Sequence, residues 1–329
     1  MKRYRGWSIG LGLFVLAALV AADARAQSDN YPNRPVRIIS DSGPGSAIDT
    51  GLRIVADGLS QVWNQQVLVV NQPGAAGAIS ARAAADATPD GYTLFAPALS
   101  VFLTLPGKAP NLPVELPRDF VPIGFTAEQP MSIGVSATLG INTLPELIAL
   151  AKKRPGELSY AVTGVGRLTH LTGELLQIRA DIKLQMVPYS GGGTSQALAD
   201  IIAGRIPIVI EGYTGLSGAF QSGQLKPLAI ASEQRLPEVP NVPTVIETIP
   251  GFIATGWQAV VAPKGTPDAI ARKVSDDLRK VLTTPDIRDK LAARGSYAKP
   301  MSPKEITDFV QAQQTLWKPA LERIAEQTK

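Results

Sequence analysis

The 329-residue chain contains no cysteine and a single histidine, His170. Without cysteine it can form no disulfide, no thiolate zinc site and no thiol nucleophile. One histidine leaves no pair of imidazoles for a zinc or iron site. The sequence also lacks the Gly-x-Ser-x-Gly turn of α/β hydrolases and the Gly-x-x-x-x-Gly-Lys loop that cradles nucleotide phosphates. We therefore expect a protein that is not an enzyme and holds no metal or cofactor.

Most of the positive charge lies at the N-terminus. The whole chain has a formal net charge of +4. Residues 1–26 hold four basic residues and one acidic residue, a net of +3, which leaves +1 for the rest. With a net charge this close to zero, residues 27–329 lack the excess positive charge that is typical of nucleic-acid-binding proteins.

The N-terminal segment has the three parts of a secretory signal. A basic stretch at residues 1–5 precedes an apolar run at residues 7–22, and Ala24-Arg25-Ala26 fits a small-x-small cleavage site. The pattern predicts cleavage after Ala26 and export to the periplasm. The alternative is an uncleaved anchor helix, but the run is shorter than the about 20 residues that a span needs.

The remaining sequence alternates short apolar strand patterns with longer helical patterns. This alternation favours an α/β fold with mostly parallel sheets and flanking helices. Capping-box patterns mark three helix starts, at Ser46/Asp49, Thr143/Glu146 and Ser302/Glu305. Pro207 lies inside the strand candidate at residues 206–210, which predicts an edge strand or an irregular one.

Two extended proline-rich passages, residues 105–122 and 236–250, predict where the chain crosses between two lobes. On this basis lobe one is discontinuous and comprises residues 27–126 and 250–329. Lobe two comprises residues 127–249.

Two glycine-rich loops each follow a strand candidate and open a helix. The first is Ser42-Gly43-Pro44-Gly45-Ser46-Ala47-Ile48-Asp49, and the second is Thr163-Gly164-Val165-Gly166-Arg167-Leu168-Thr169-His170. A helix that begins at such a loop directs free backbone N–H groups and a positive dipole end at one point. Two such points that face each other would bind a small polar or anionic ligand between two lobes.

Two polar residues in these loops have two possible roles each. His170, in the first turn of its helix, either hydrogen-bonds the loop backbone or contacts the ligand directly. Asp49 either caps its helix and complements the dipole or contacts the ligand.

A series of short motifs in a fixed order resembles the periplasmic substrate-binding proteins of tripartite tricarboxylate transporters, the Bug family. The motifs span nearly all of the chain after residue 26. They include Tyr31-Pro32-Asn33-Arg34-Pro35-Val36, Asn71-Gln72-Pro73-Gly74, Pro89-Asp90-Gly91-Tyr92, His170-Leu171-Thr172-Gly173-Glu174, Val187-Pro188-Tyr189-Ser190-Gly191, Val242-Pro243-Thr244 and Ala262-Pro263-Lys264-Gly265-Thr266-Pro267.

This resemblance implies a two-lobed, type II periplasmic-binding-protein fold with a ligand cleft between the lobes. It implies a carboxylate ligand, held largely by backbone N–H groups and water. With the loop residues considered above, the candidate contacts are Ser42, Gly43, Pro44, Gly45, Ser46, Asp49 and Ser100 from lobe one, and Thr163, Gly164, Gly166, Arg167, His170, Ser190, Gly191 and Gly192 from lobe two.

The chain departs from the family pattern at charged positions. Asp41-Ser42 stands where the family has Pro-Phe, Ser46 replaces the second glycine, and Arg167 replaces a small hydroxyl residue. Two roles for the charges are open. Arg167 either binds a second acidic group of the ligand, or pairs with Asp41 across the cleft and holds the lobes closed.

The expected function is that of a monomeric receptor, which delivers a small carboxylate to inner-membrane transporter subunits through a transient contact. Two alternatives remain at this stage. One is an exported hydrolase of α/β fold, and the other is a binding protein that now serves as a sensor partner.

Overall fold

The computed structural model describes residues 30–103, 114–189 and 193–327. The signal segment at residues 1–26 lies outside the described residues, as do Ser190, Gly191 and Gly192. The strands are β1 Val36–Ser40, β2 Val67–Asn71, β3 Thr93–Ala96, β4 Phe120–Ser136, β5 Ser159–Val162, β6 Gln185–Pro188, β7 Ile208–Gly212, β8 Leu225–Ile230, β9 Thr255–Pro263 and β10 Tyr297–Ala298. The helices are α1 Ala47–Trp63, α2 Ala78–Ala85, α3 Leu99–Phe102, α4 Leu144–Lys153, α5 Leu168–Ala180, α6 Gly193–Ile202, α7 Tyr213–Gln221, α8 Asp268–Thr283, α9 Pro285–Ala292 and α10 Pro303–Gln327.

The strands form one continuous mixed sheet with two halves that share β4. The half called sheet one here has the order β2-β1-β3-β9-β4, and the half called sheet two has the order β4-β7-β5-β6. The strands β1, β2 and β3 are parallel to one another, as are β5, β6 and β7. The antiparallel pairs involve β4 or β9. The fold is therefore the predicted α/β fold with two lobes, each built on one half of the sheet.

The chain passes between the lobes at a compact backbone junction. Along β4, Pro130 still pairs with β9, whereas Met131 already pairs with β7. Three backbone hydrogen bonds close a ring there: Met131 N to Ala254 O (2.9 Å), Ala254 N to Ala231 O (3.0 Å) and Ala231 N to Met131 O (2.8 Å). The exact division of the chain into lobes stays a prediction, but this ring joins three segments of the chain, at residues 131, 231 and 254.

Local sequence signals place the helix starts correctly. Ser46 caps α1 and its hydroxyl accepts the N–H of Asp49 at 3.2 Å. Thr143 caps α4 in the same way through the N–H of Glu146. At the start of α10, the Ser302 hydroxyl accepts the N–H of Glu305, whose carboxylate accepts the N–H of Ser302. All three predicted helix starts are confirmed, and the reciprocal capping box forms at Ser302 and Glu305. The carboxylates of Asp49 and Glu146 instead accept the N–H of the residue before the N-cap.

The sequence predicted an edge strand or an irregular one around Pro207, and the edge alternative is wrong. Strand β7 begins at Ile208, just after the proline, and lies between β4 and β5 in the interior of sheet two. Proline has no N–H to donate, and because Pro207 precedes the strand, β7 loses no hydrogen bond to its neighbours. The Pro207 carbonyl accepts the N–H of Ser136 at 2.9 Å.

The core is apolar and continues across both halves of the sheet. Trp257 of β9 is 1% exposed and stacks on Phe102 and Phe125, while Phe309 of α10 contacts the indole edge-on. Each such buried side chain contributes about 1.5–3 kcal/mol of hydrophobic stabilisation. Within the described parts of the chain, no helix has both the length and the apolar character needed to cross a membrane.

Candidate ligand-binding site

The first glycine loop connects β1 to α1 and is fastened by Asp49. The carboxylate of Asp49 accepts the N–H of Gly45 at 2.9 Å and a hydrogen bond from Asn71 at 2.8 Å. It also pairs with Arg53 at 2.9 Å. Gly45 has a φ of +78°, a backbone conformation that glycine adopts at little cost. These contacts of Asp49 fix the shape of the loop, which fits the structural one of its two predicted roles.

The second glycine loop connects β5 to α5 and is fastened by His170. The Nδ1 atom of His170 accepts the N–H of Gly166 at 3.1 Å, and Nε2 lies 3.6 Å from the carboxylate of Glu174. The Thr169 hydroxyl accepts the N–H of Thr163 at 3.1 Å. The imidazole is 5% exposed and hydrogen-bonds the loop backbone, which fits the first of its two predicted roles.

Glu174 completes this fastening from the second turn of α5. Burial alone would raise the pKa of the Glu174 carboxyl. The adjacent His170 imidazole and hydrogen bonds from Tyr160 and Gln177 outweigh burial, and together they lower that pKa. The loop and the first two turns of α5 therefore form one hydrogen-bonded unit.

The two loops meet, because a charged residue of each lobe pairs with the other. The Nη1 atom of Arg167 lies 3.0 Å from Oδ2 of Asp41 and also donates to the Asp41 carbonyl at 3.2 Å. Its Nη2 atom donates to the hydroxyl of Ser42 at 3.1 Å. A second contact joins the lobes nearby, from the Ser195 hydroxyl in α6 to the carbonyl of Pro44, at 3.1 Å. These contacts bring the two predicted loops together at one place.

Sequence reasoning missed the acidic residue that lies beside this contact. Glu211, near the end of β7, is buried and accepts hydrogen bonds from Thr194 at 2.9 Å and from its neighbour Gly212 at 2.8 Å. Burial raises the pKa of the Glu211 carboxyl, while those hydrogen bonds and the nearby charge of Arg167 oppose the rise. The detectable signal was a carboxylate that directly follows an apolar strand, as Asp41 follows β1.

For the other predicted ligand contacts among the described residues, the structure gives a position in the fold but no partner in the opposite loop. Ser46 is buried at the start of α1, whereas Pro44 and Gly45 are exposed at the tip of their loop. Ser100 lies in the short helix α3, and the residues from 190 to 192 are not among those described. No group of three or more His, Asp or Glu side chains in the described ranges could hold a metal ion.

The chain is similar to known proteins over most of its length. The family model for the tripartite tricarboxylate transporter family receptor matches residues 52–325. Protein BugT of Bordetella pertussis is 33% identical over 309 residues, which cover 93% of this chain and 94% of that protein.

Two solved structures with bound acids have the same fold. Rpa4515 of R. palustris with adipate superimposes with a TM-score of 0.84 at 27% identity. The match covers 90% of this chain and 99% of the Rpa4515 chain. MatC of Rhodopseudomonas palustris with bound malate gives a TM-score of 0.80 at 27% identity, and the match covers 89% of this chain and 100% of the MatC chain. Proteins of this kind are solute-binding receptors and not enzymes. This chain belongs to the tripartite tricarboxylate transporter receptor family.

Proposed function

We propose that this protein captures a small organic acid in the periplasm, between its two lobes, and delivers it to the membrane subunits of a tripartite tricarboxylate transporter. The observation that carries this proposal is the meeting of two helix-opening glycine loops, one from each lobe, at the contact between Asp41 and Arg167. The receptors that hold adipate and malate have the same fold and support an acid as the ligand.

Backbone N–H groups at the helix starts are the donors best suited to an acid. The N–H groups of Gly45 and Gly166 already have acceptors in Asp49 and His170. The first intrahelical donor of α1 is the N–H of Thr50, and the N–H of Asp49 is already bound by the Ser46 hydroxyl. The N–H groups of Ala47 and Ile48 have no acceptor inside the helix and are the donors left for a ligand. A carboxylate placed there would receive these hydrogen bonds and the favourable end of the helix dipole.

Closure of the lobes would couple binding to recognition by the transporter. A ligand that touches both loops stabilises the closed arrangement more than the open one, and so shifts the population towards it. The ring of hydrogen bonds at Met131, Ala231 and Ala254 gives the two lobes a short, ordered connection about which they can turn.

The state of the exported chain is also part of the proposal. We expect a monomer that begins at Gln27 after removal of residues 1–26. N-terminal sequencing of the periplasmic protein, with analytical ultracentrifugation, tests both statements. Recovery of the full-length chain in the membrane fraction would contradict cleavage.

The central test combines a thermal-shift screen with small-angle scattering. An acid at about 100 times its Kd should stabilise the protein by about 2.7 kcal/mol, because it binds only the folded state. It should also reduce the radius of gyration, and the acid should be recovered unchanged. Uncharged amides of the same acids serve as controls. The proposal fails if no organic acid raises Tm above its amide control.

A further inference from the structure

Asp41 places a carboxylate of the protein itself between the two lobes. Its Oδ1 atom accepts the N–H of Ala98, next to α3 in lobe one, at 3.0 Å. Its Oδ2 atom accepts from Nη1 of Arg167 in lobe two at 3.0 Å. Asp41 has no exposed surface, and the Arg167 side chain keeps only 11%. A backbone N–H and a guanidinium from the opposite lobe are groups that would bind an acid, and Asp41 already occupies both.

The loops hold no further positive charge for a second acid group. Arg167 is the only arginine or lysine in residues 41–49 and 163–170. The Nδ1 atom of His170 is already engaged by the N–H of Gly166, and Nε2 faces Glu174. Glu211, a second buried carboxyl, also lies within electrostatic range of Arg167. The positive charge of Arg167 is therefore already balanced by Asp41 before any ligand enters.

We infer that Asp41 fills one acid-binding position of the cleft, so that this receptor takes ligands with one acidic group and rejects dicarboxylates. This inference rests on the proposed function and names the ligand class of the same site.

The physical basis is the unfavourable free energy of burying two carboxylates close to each other in the cleft. A monocarboxylate can be held by the N–H groups at the helix starts. The second carboxylate of a dicarboxylate would have to lie near Asp41, or displace it from Arg167 and leave Asp41 buried without its cation. Either arrangement desolvates a charge without a partner. We expect discrimination of about tenfold or more, since like charges at an interface are strongly unfavourable.

Matched pairs of acids that differ by one carboxyl group test this directly. The probes are hexanoate against adipate, 3-hydroxybutyrate against malate, and benzoate against terephthalate, each titrated calorimetrically into the intact exported protein. The variants are Asp41→Ser, which removes the carboxylate and frees Arg167, and Asp41→Asn, which removes the charge but keeps the volume. Asp86→Ser, which removes an exposed partner of Arg82 in lobe one, is the matched control.

In the unmodified protein, the monocarboxylate of at least one pair should bind about tenfold or more tightly than its dicarboxylate. Asp41→Ser should reduce that ratio by about tenfold or reverse it, because Arg167 becomes available. Asp41→Asn should move the ratio in the same direction by less, and it reports the charge effect even if Asp41→Ser does not fold. Adding Arg167→Gln to Asp41→Ser should abolish the gained dicarboxylate affinity. Asp86→Ser should leave the ratio unchanged.

Two results would overturn the inference while the proposed function stands. One is a dicarboxylate that binds the unmodified protein at least as tightly as its one-acid partner in every pair for which binding is measured. The other is a ratio in Asp41→Ser and Asp41→Asn that equals the ratio in Asp86→Ser. If no acid of any pair binds any variant or closes the lobes, the proposed function and this inference fall together.

Discussion

Gly45 of lobe one lies next to Ser195 of lobe two. A Cβ atom at this position would lie 2.7 Å from Oγ of Ser195, and the φ of +78° adds strain for any other residue. In Gly45→Ala the Ser195 hydroxyl must turn away and lose its hydrogen bond to Pro44. We expect the closed state to lose about 1 kcal/mol relative to the open state. The affinity for the best acid of the screen should therefore fall about fivefold, measured calorimetrically.

Gly140→Ala is the matched control for this prediction. Gly140 has a φ of +76°, and a Cβ atom there would have no other atom within 4 Å, so it shares the backbone strain but not the contact. Both variants should lose about 1–2 kcal/mol in free energy of unfolding. If Gly140→Ala weakened ligand binding as much as Gly45→Ala does, the effect of Gly45 would come from general destabilisation.

At the scale of elements, Glu211 links strand β7 to helix α6. The Thr194 hydroxyl in α6 donates to the Glu211 carboxyl at 2.9 Å, and burial raises the pKa of that carboxyl above its ordinary value of 4.5. Between 4.5 and the raised pKa, the folded protein binds more protons than the unfolded chain. The free energy of unfolding from this group therefore falls as the pH rises through that window.

Glu211→Gln should remove this pH dependence, because a glutamine cannot ionise. Its carbonyl oxygen can accept the N–H of Gly212, and its NH2 group can donate to the Thr194 hydroxyl in place of the bond that Glu211 accepts. Relative to the unmodified protein, the variant should gain stability as the pH rises above about 5, by about 1.4 kcal/mol for each pH unit of the window. Urea unfolding from about pH 5 to about pH 8 measures the difference. Glu322→Gln, at an exposed position in α10, is the control and should show no such gain. A difference that stayed constant over this range would contradict the assignment.

At the scale of the whole molecule, the absence of cysteine means that two introduced cysteines can form a disulfide between the lobes with no competing native thiol. The short distance between position 45 and Ser195 places two sulfur atoms within bonding reach in Gly45→Cys/Ser195→Cys. Oxidised without ligand, this double variant should fail to bind acids, because the cleft cannot open. Oxidised with an acid bound, it should retain that acid through dialysis. A reductant should restore exchange in both cases.

The single variants Gly45→Cys and Ser195→Cys, oxidised in the same way, control for the substitutions themselves. Each has one thiol and cannot join its own lobes. Ligand exchange at the same rate in the oxidised and reduced double variant would show that entry to the site does not require the lobes to separate.

Much of the fold could be predicted because its signals are local. Ser46, Thr143 and Ser302 each mark a helix start through contacts within three residues. The strands and the two glycine loops were likewise evident from short patterns. The position of β7 was mistaken because whether a strand is central or at an edge depends on its neighbours. Those neighbours, β4 and β5, are distant in the chain.

The chemistry of the cleft depends on contacts between distant parts of the chain. The sequence indicated that Asp41 and Arg167 were unusual, and left open whether they pair. They are 126 residues apart, and only the placement of one lobe against the other brings the guanidinium to the carboxylate. The same holds for Ser195 with Pro44, 151 residues apart. Helical and strand periodicity are short-range properties, so they determine the elements and loops, whereas packing of the lobes determines which charges face each other and which remain free for a ligand.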